Sequence, residues 1–175
     1  MAWIFSLSAE CGPSQADALA VAGHFAARQG TGQDVGQDVG QGAGQSTGQD
    51  TGWAAGWVAD VVRDDRGNWW AWAVPGGLSR TGSGSDADAR AMTEAGHHLY
   101  ACLRSAPARY RYALAGVEAD MFRFFDELTA DEDLGAFPGL VLADGVWELV
   151  GRPPGFTTFS PGYRWLPYPG EGHPA

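Results

Sequence analysis

The stretch Trp53–Val74, WAAGWVADVVRDDRGNWWAWAV, decides how the rest of the chain is read. Two runs rich in tryptophan and valine, Trp53–Val62 and Trp69–Val74, flank Arg63-Asp64-Asp65-Arg66-Gly67-Asn68. Aromatic and β-branched side chains suit a pleated surface and Gly-Asn turns the chain, so the stretch predicts a hairpin with a loop of about six residues. In the second run Trp70, Trp72 and Val74 share one face, and Trp69, Ala71 and Ala73 share the other. Both faces are apolar. A strand of this kind belongs inside a sheet that is covered on both sides.

Working outward toward the N-terminus, Trp3–Ser8 alternates, with Trp3, Phe5 and Leu7 opposite Ile4, Ser6 and Ser8, as a strand does. Cys11-Gly12-Pro13 breaks it. Ser14 then caps an alanine-rich run in which Asp17 falls in the first turn and Ala18, Val21, Ala22 and Phe25 recur at helical spacing. On the other side of the hairpin, Asp86–Ser105 reads as a second helix with Met92, Ala95, Leu99, Cys102, Leu103 and Ala106 along its buried stripe. Arg109–Glu118 alternates again. The order strand, helix, strand, strand, helix, strand predicts an α+β fold with a ferredoxin-like βαββαβ antiparallel sheet and both helices on one face.

Between the first helix and the hairpin lies GQDVGQDVGQGAGQSTGQDTG, residues 32–52, with glycine at every fourth position. Its few apolar side chains cannot offset roughly 1–2 kcal/mol per residue of backbone ordering, which makes residues 30–52 a flexible insertion in one domain spanning 1–170. Beyond the fourth strand, Met121, Phe124, Phe125 and Leu128 are spaced as a short helix with Asp120 near its start. Asp131-Glu132-Asp133 would oppose the dipole and stop it. Leu140–Leu142 and Val146–Val150 around Asp144-Gly145 predict a hairpin. The proline- and aromatic-rich extension after Arg152 is expected to lie over the sheet or its edge, with 171–175 as a loose tail.

The 175 residues carry a formal net charge of -10, and every basic residue other than histidine is arginine. Such a body repels phosphate backbones and anionic lipid, which argues against nucleic acid and membrane partners. Without lysine, Schiff-base, pyridoxal and phosphate-loop chemistry are excluded. Two cysteines make no disulfide framework and no apolar run is long enough for a membrane span, so a cytoplasmic protein with free thiols is expected.

Four constellations could carry chemistry. Thr81-Gly82-Ser83-Gly84-Ser85-Asp86 is a glycine-rich helix entry, but Asp86 and Asp88 would repel an anion. His98 and Cys102, four residues apart, are half of a metal site without a second half, and no cofactor is expected. Glu118 and Asp120 could act as a carboxylate pair on a neutral, sugar-like ligand in a tryptophan-lined cleft, as an enzyme or a sensor. Asp64, Asp65, Asp131, Glu132 and Asp133 could instead present a negative surface to a basic protein. An acidic, non-catalytic, immunity-type binding module is the reading that charge and composition favour.

Overall fold

The computed structural model describes residues 2–28, 56–76, 78, 80–81, 85–117, 119 and 122–171. Among them the chain forms an α+β structure around a seven-stranded antiparallel sheet with four α-helices. In chain order these are β1 (Ala2–Trp3), β2 (Phe5–Glu10), α1 (Gln15–Ala27), β3 (Trp57–Arg63), β4 (Trp69–Pro75), β5 (Arg80–Thr81) and α2 (Asp86–Arg104). They continue with β6 (Tyr112–Val117), α3 (Phe125–Ala130), β7 (Val141–Ala143), α4 (Asp144–Leu149), β8 (Thr157–Ser160) and β9 (Tyr163–Trp165). The large sheet runs β3-β4-β2-β6-β7-β9-β8, and β1 pairs with β5 in a separate two-stranded sheet.

The register shows why both faces are buried. On one face Ala59, Ala73, Leu7 and Ala115 lie side by side, and next to them Val61, Ala71, Ala9, Ala113, Val141 and Trp165. Alanines keep this face low, and α1 and α2 both pack on it through Val21, Phe25, Ala95, Leu99 and Leu103. Trp57 fastens the edge strand to α1 by donating its indole N–H to the Phe25 carbonyl at 2.7 Å. On the opposite face the row Val62, Trp70, Glu10, Tyr112, Leu142 and Arg164 crosses six strands. Trp70, Tyr112 and Leu142 form a second core there with Leu128, Leu134, Leu140 and Val146, which come from the chain after β6.

Local chemistry starts each long helix. Ser14 Oγ accepts from the Asp17 N–H at 3.2 Å, and Ser85 and Asp88 form a reciprocal capping box at the start of α2. Each cap contributes about 1 kcal/mol.

Three expectations are corrected. The α+β antiparallel sheet with α1 and α2 on one face forms, but it exceeds a ferredoxin-like four-stranded βαββαβ unit: β7, β9 and β8 extend it to seven strands and a second layer covers the face opposite α1 and α2. The predicted hairpin over 140–150 does not form. Only Val141–Ala143 is a strand; Asp144 gives its N–H to the Gly162 carbonyl at 2.8 Å and opens α4, whose Val146 turns into the second core. The third helix begins at Phe125 rather than near 120. The Tyr112 hydroxyl donates to the Arg123 carbonyl at 2.5 Å and the Glu127 carboxylate accepts the Phe124 N–H at 3.1 Å, with Phe124 itself extended; residues 120 and 121 lie outside the described residues. It does end at Ala130, before the acidic run.

The aromatic extension adds β8 and β9 to the sheet and then crosses α2. Phe159, Trp165 and Tyr168 surround the Tyr100 ring with centroids 5.3–6.2 Å away. Gly96 on α2 admits Tyr168, whose ring would lie 2.5 Å from any Cβ added there. Glu171, placed by the sequence at the start of a loose tail, gives its N–H to Thr93 Oγ1 at 2.9 Å; residues 172–175 and the repeat at 30–52 lie outside the described residues.

Candidate functional site

The polar centre of the molecule is Glu10, which has 0 % exposure on β2, an inner strand of the sheet. Strand alternation puts Ser6, Ser8 and Glu10 on the face opposite α1 and α2, so a carboxylate enters the second core beside Trp70 and Tyr112. An isolated charge there would be prohibitively costly. Arg111, at the entry to β6, answers it with two parallel bonds, Nε to Oε2 at 2.6 Å and Nη2 to Oε1. Arg111 also donates to Asn68 Oδ1 at 3.1 Å, and its guanidinium carbon lies 3.7 Å from the Phe125 ring centroid. Burial would lower the arginine pKa, but the bonds and charge of Glu10 outweigh it and raise it. The pair locks β2 to β6 and to the β3–β4 turn.

That turn is organised by Asp64. Its carboxylate accepts the N–H groups of Arg66 at 2.9 Å and Asn68 at 2.8 Å, and the Trp70 indole N–H at 2.9 Å. Burial pushes its pKa up, yet these bonds win and hold it below the ordinary carboxylate value. Asp64 is therefore occupied internally, while Asp65 is exposed beside it.

Next to this centre, Cys11, Arg109, Tyr110, Asp144 and Tyr163 line an open cleft of about 570 Å³. Burial, followed by the charge of Glu10, pushes the Cys11 thiol up to about 12, so it stays protonated at neutral pH and is no nucleophile. Asp144 is held by Arg164 at 3.3 Å, and the Tyr163 hydroxyl accepts the Tyr110 N–H at 3.2 Å. The cleft has room for a small molecule. Arg164 pairs with its acid, and burial keeps its thiol protonated at neutral pH.

His98 and Cys102 do not meet: His98 is exposed, whereas Cys102 lies in the core with its pKa raised by burial. Among the described residues no three His, Cys, Asp or Glu side chains come together to hold a metal. Glu118 and Asp120 lie outside the described residues.

Two of the acidic segments are linked through the start of α3. Arg66, from the turn that carries Asp64 and Asp65, pairs with Asp126 and, at 3.0 Å, with Glu127 at the start of α3. α3 leads directly into Asp131-Glu132-Asp133. Asp131 is half-buried, 3.7 Å from Arg123, and accepts the Asp133 N–H at 2.9 Å; Glu132 and Asp133 are exposed. Thr129–Glu132 and Leu149–Gly151 border a second groove, of about 550 Å³, with Leu134 and Pro153. Leu149 stands 64 % exposed at its side.

Sequence reasoning missed Glu10, Arg111 and Leu149. The available signal for the first was parity, since a charged residue continues the Ile4-Ser6-Ser8 side of β2 into a face that Trp70 makes apolar. Compared with known proteins, the chain matches no family model, no curated sequence and no solved structure. No helix among the described residues is long and apolar enough to cross a membrane.

Proposed function

We propose that this protein is a non-catalytic docking module for a basic protein, acting in the cytoplasm as an inhibitor or immunity-type antidote would. The observation that carries it is the juxtaposition of the acidic turn, α3 and the Asp131-Glu132-Asp133 run through Arg66, beside a groove whose Leu149 is exposed. Charged residues around an exposed apolar side chain suit a protein interface. The net charge of -10 extends the same field beyond contact distance and favours a cationic partner. The test is affinity capture of the natural partner on wild-type protein and on a variant carrying Asp131→Asn, Glu132→Gln and Asp133→Asn. The expected result is one basic protein retained by the wild type and lost from the variant. Retention of a neutral or acidic protein, or equal retention by both, would contradict it.

One observation favours a second reading, a sensor or enzyme for a neutral, sugar-like ligand on the sheet face. Ser6 and Ser8, each 2 % exposed, have hydroxyls without a hydrogen-bond partner among the described residues, and Ser8 lies across from the half-buried Trp72. An aromatic ring beside unpaired hydroxyls suits a sugar. Glu118 and Asp120 would be its carboxylates. Glycoside turnover that disappears in Glu118→Gln would establish this reading in place of the first.

A further inference from the structure

We propose that the groove between the ends of α3 and α4 receives a leucine-like side chain flanked by arginine or lysine in the partner's chain. This rests on the docking function above and names the chemistry of the partner segment. The lining of the groove mixes polar and apolar groups: Leu149, 64 % exposed, presents its side chain to solvent with Val150 and Pro153 next to it, above the buried Leu134. An apolar anchor seated there would remove Leu149 from water, which for a leucine is worth roughly tenfold or more in affinity.

Charge decides which residues flank that anchor. Asp131 and Glu132 stand on the rim, with Asp133 following and Glu148 just before Leu149. Arg123 lies 3.7 Å from Asp131, and Arg152 is bonded to Glu148 at 2.9 Å. Four carboxylates against two guanidinium groups leave the rim negative. Thr129 and Ala130 end α3 and Leu149 ends α4, so both helices turn their carboxyl ends, with their partial negative charge, toward the same groove. Only a cationic flank complements it.

The probe is the peptide acetyl-Gly-Arg-Arg-Leu-Arg-Arg-Gly-amide, titrated into the isotope-labelled full-length protein and followed by amide chemical shifts. Shifts should concentrate at residues 129–134 and 149–153. Replacing the peptide's leucine by serine should weaken binding at least tenfold, and replacing its arginines by glutamine should remove both binding and salt dependence. On the protein, Leu149→Asp should lose at least tenfold while its thermal midpoint falls by no more than a few degrees, the cost of an acid at a helix C-terminus whose side chain is exposed. No binding, shifts centred elsewhere, equal affinity for the serine peptide, or full affinity in Leu149→Asp would each overturn the groove. If a captured basic partner still binds Leu149→Asp at full strength but fails on the Asp131, Glu132 and Asp133 variant, docking stands and this groove is not its anchor. Loss of partner binding in neither variant removes both.

Discussion

Glu10 and Arg111 are 101 positions apart, and their pairing shows how a residue acquires meaning only from the sheet. Removing one partner of a buried ion pair leaves an uncompensated charge, so Arg111→Ala should cost about 3–5 kcal/mol in denaturant unfolding. The double change Glu10→Gln with Arg111→Met should recover much of that loss, because the stranded carboxylate is gone. A loss below about 1 kcal/mol in the single variant would mean the carboxylate reaches water. Cys11 offers a second check. With its thiol pushed up to about 12, alkylation by iodoacetamide in native protein at neutral pH should be far slower than in unfolded protein. Neither property was legible locally. The alternation of Trp3–Ser8 was, but strand periodicity assigns a face and says nothing of which distant arginine will lie opposite.

At the level of elements, periodicity was informative where an element buries one clear stripe and failed where neighbours decide. α1 and α2 begin at the serines that mark them, and Ala18, Val21, Ala22 and Phe25 face the core as their spacing requires. β4 is an inner strand with cores on both sides, as its two apolar faces imply. Asp144-Gly145 was ambiguous because the same dipeptide suits a turn and a helix start; the Gly162 carbonyl and Arg164, both supplied by the β8–β9 region, choose the helix. The extension contains its own test in Glu171, whose carboxylate accepts the Tyr168 hydroxyl at 2.8 Å. Burial raises its pKa above the ordinary 4.5, against the opposing effect of that bond. A raised folded-state pKa adds stability below the unfolded value and loses it as pH rises through the folded one. Glu171→Gln, which keeps an acceptor for Tyr168, should therefore raise the thermal midpoint at pH 7, with the advantage vanishing below about pH 4. A variant less stable than wild type at neutral pH would show that the charge itself holds the extension down.

For the whole molecule, composition anticipated the class of structure and the sign of its field, while β8 and β9 came from a region whose prolines and rings obey no single period. Residues 30–52 were read as an insertion from composition alone. Deleting 32–51 should accordingly leave the thermal midpoint within a few degrees, because shortening a loop changes closure entropy by well under ~1 kcal/mol. Docking depends instead on charge held at a distance. Exposed carboxylates are screened beyond a Debye length of roughly 8–10 Å at physiological salt, so a field that guides a basic partner must weaken as salt is added. The measurement that bears on it most directly is the association rate of the captured partner from low to physiological ionic strength. Wild type should show a steep fall, and the variant neutral at Asp131, Glu132 and Asp133 a slower rate with a flatter dependence at unchanged thermal stability. A rate indifferent to salt, or the same steep dependence in both proteins, would contradict an acidic docking surface at this site.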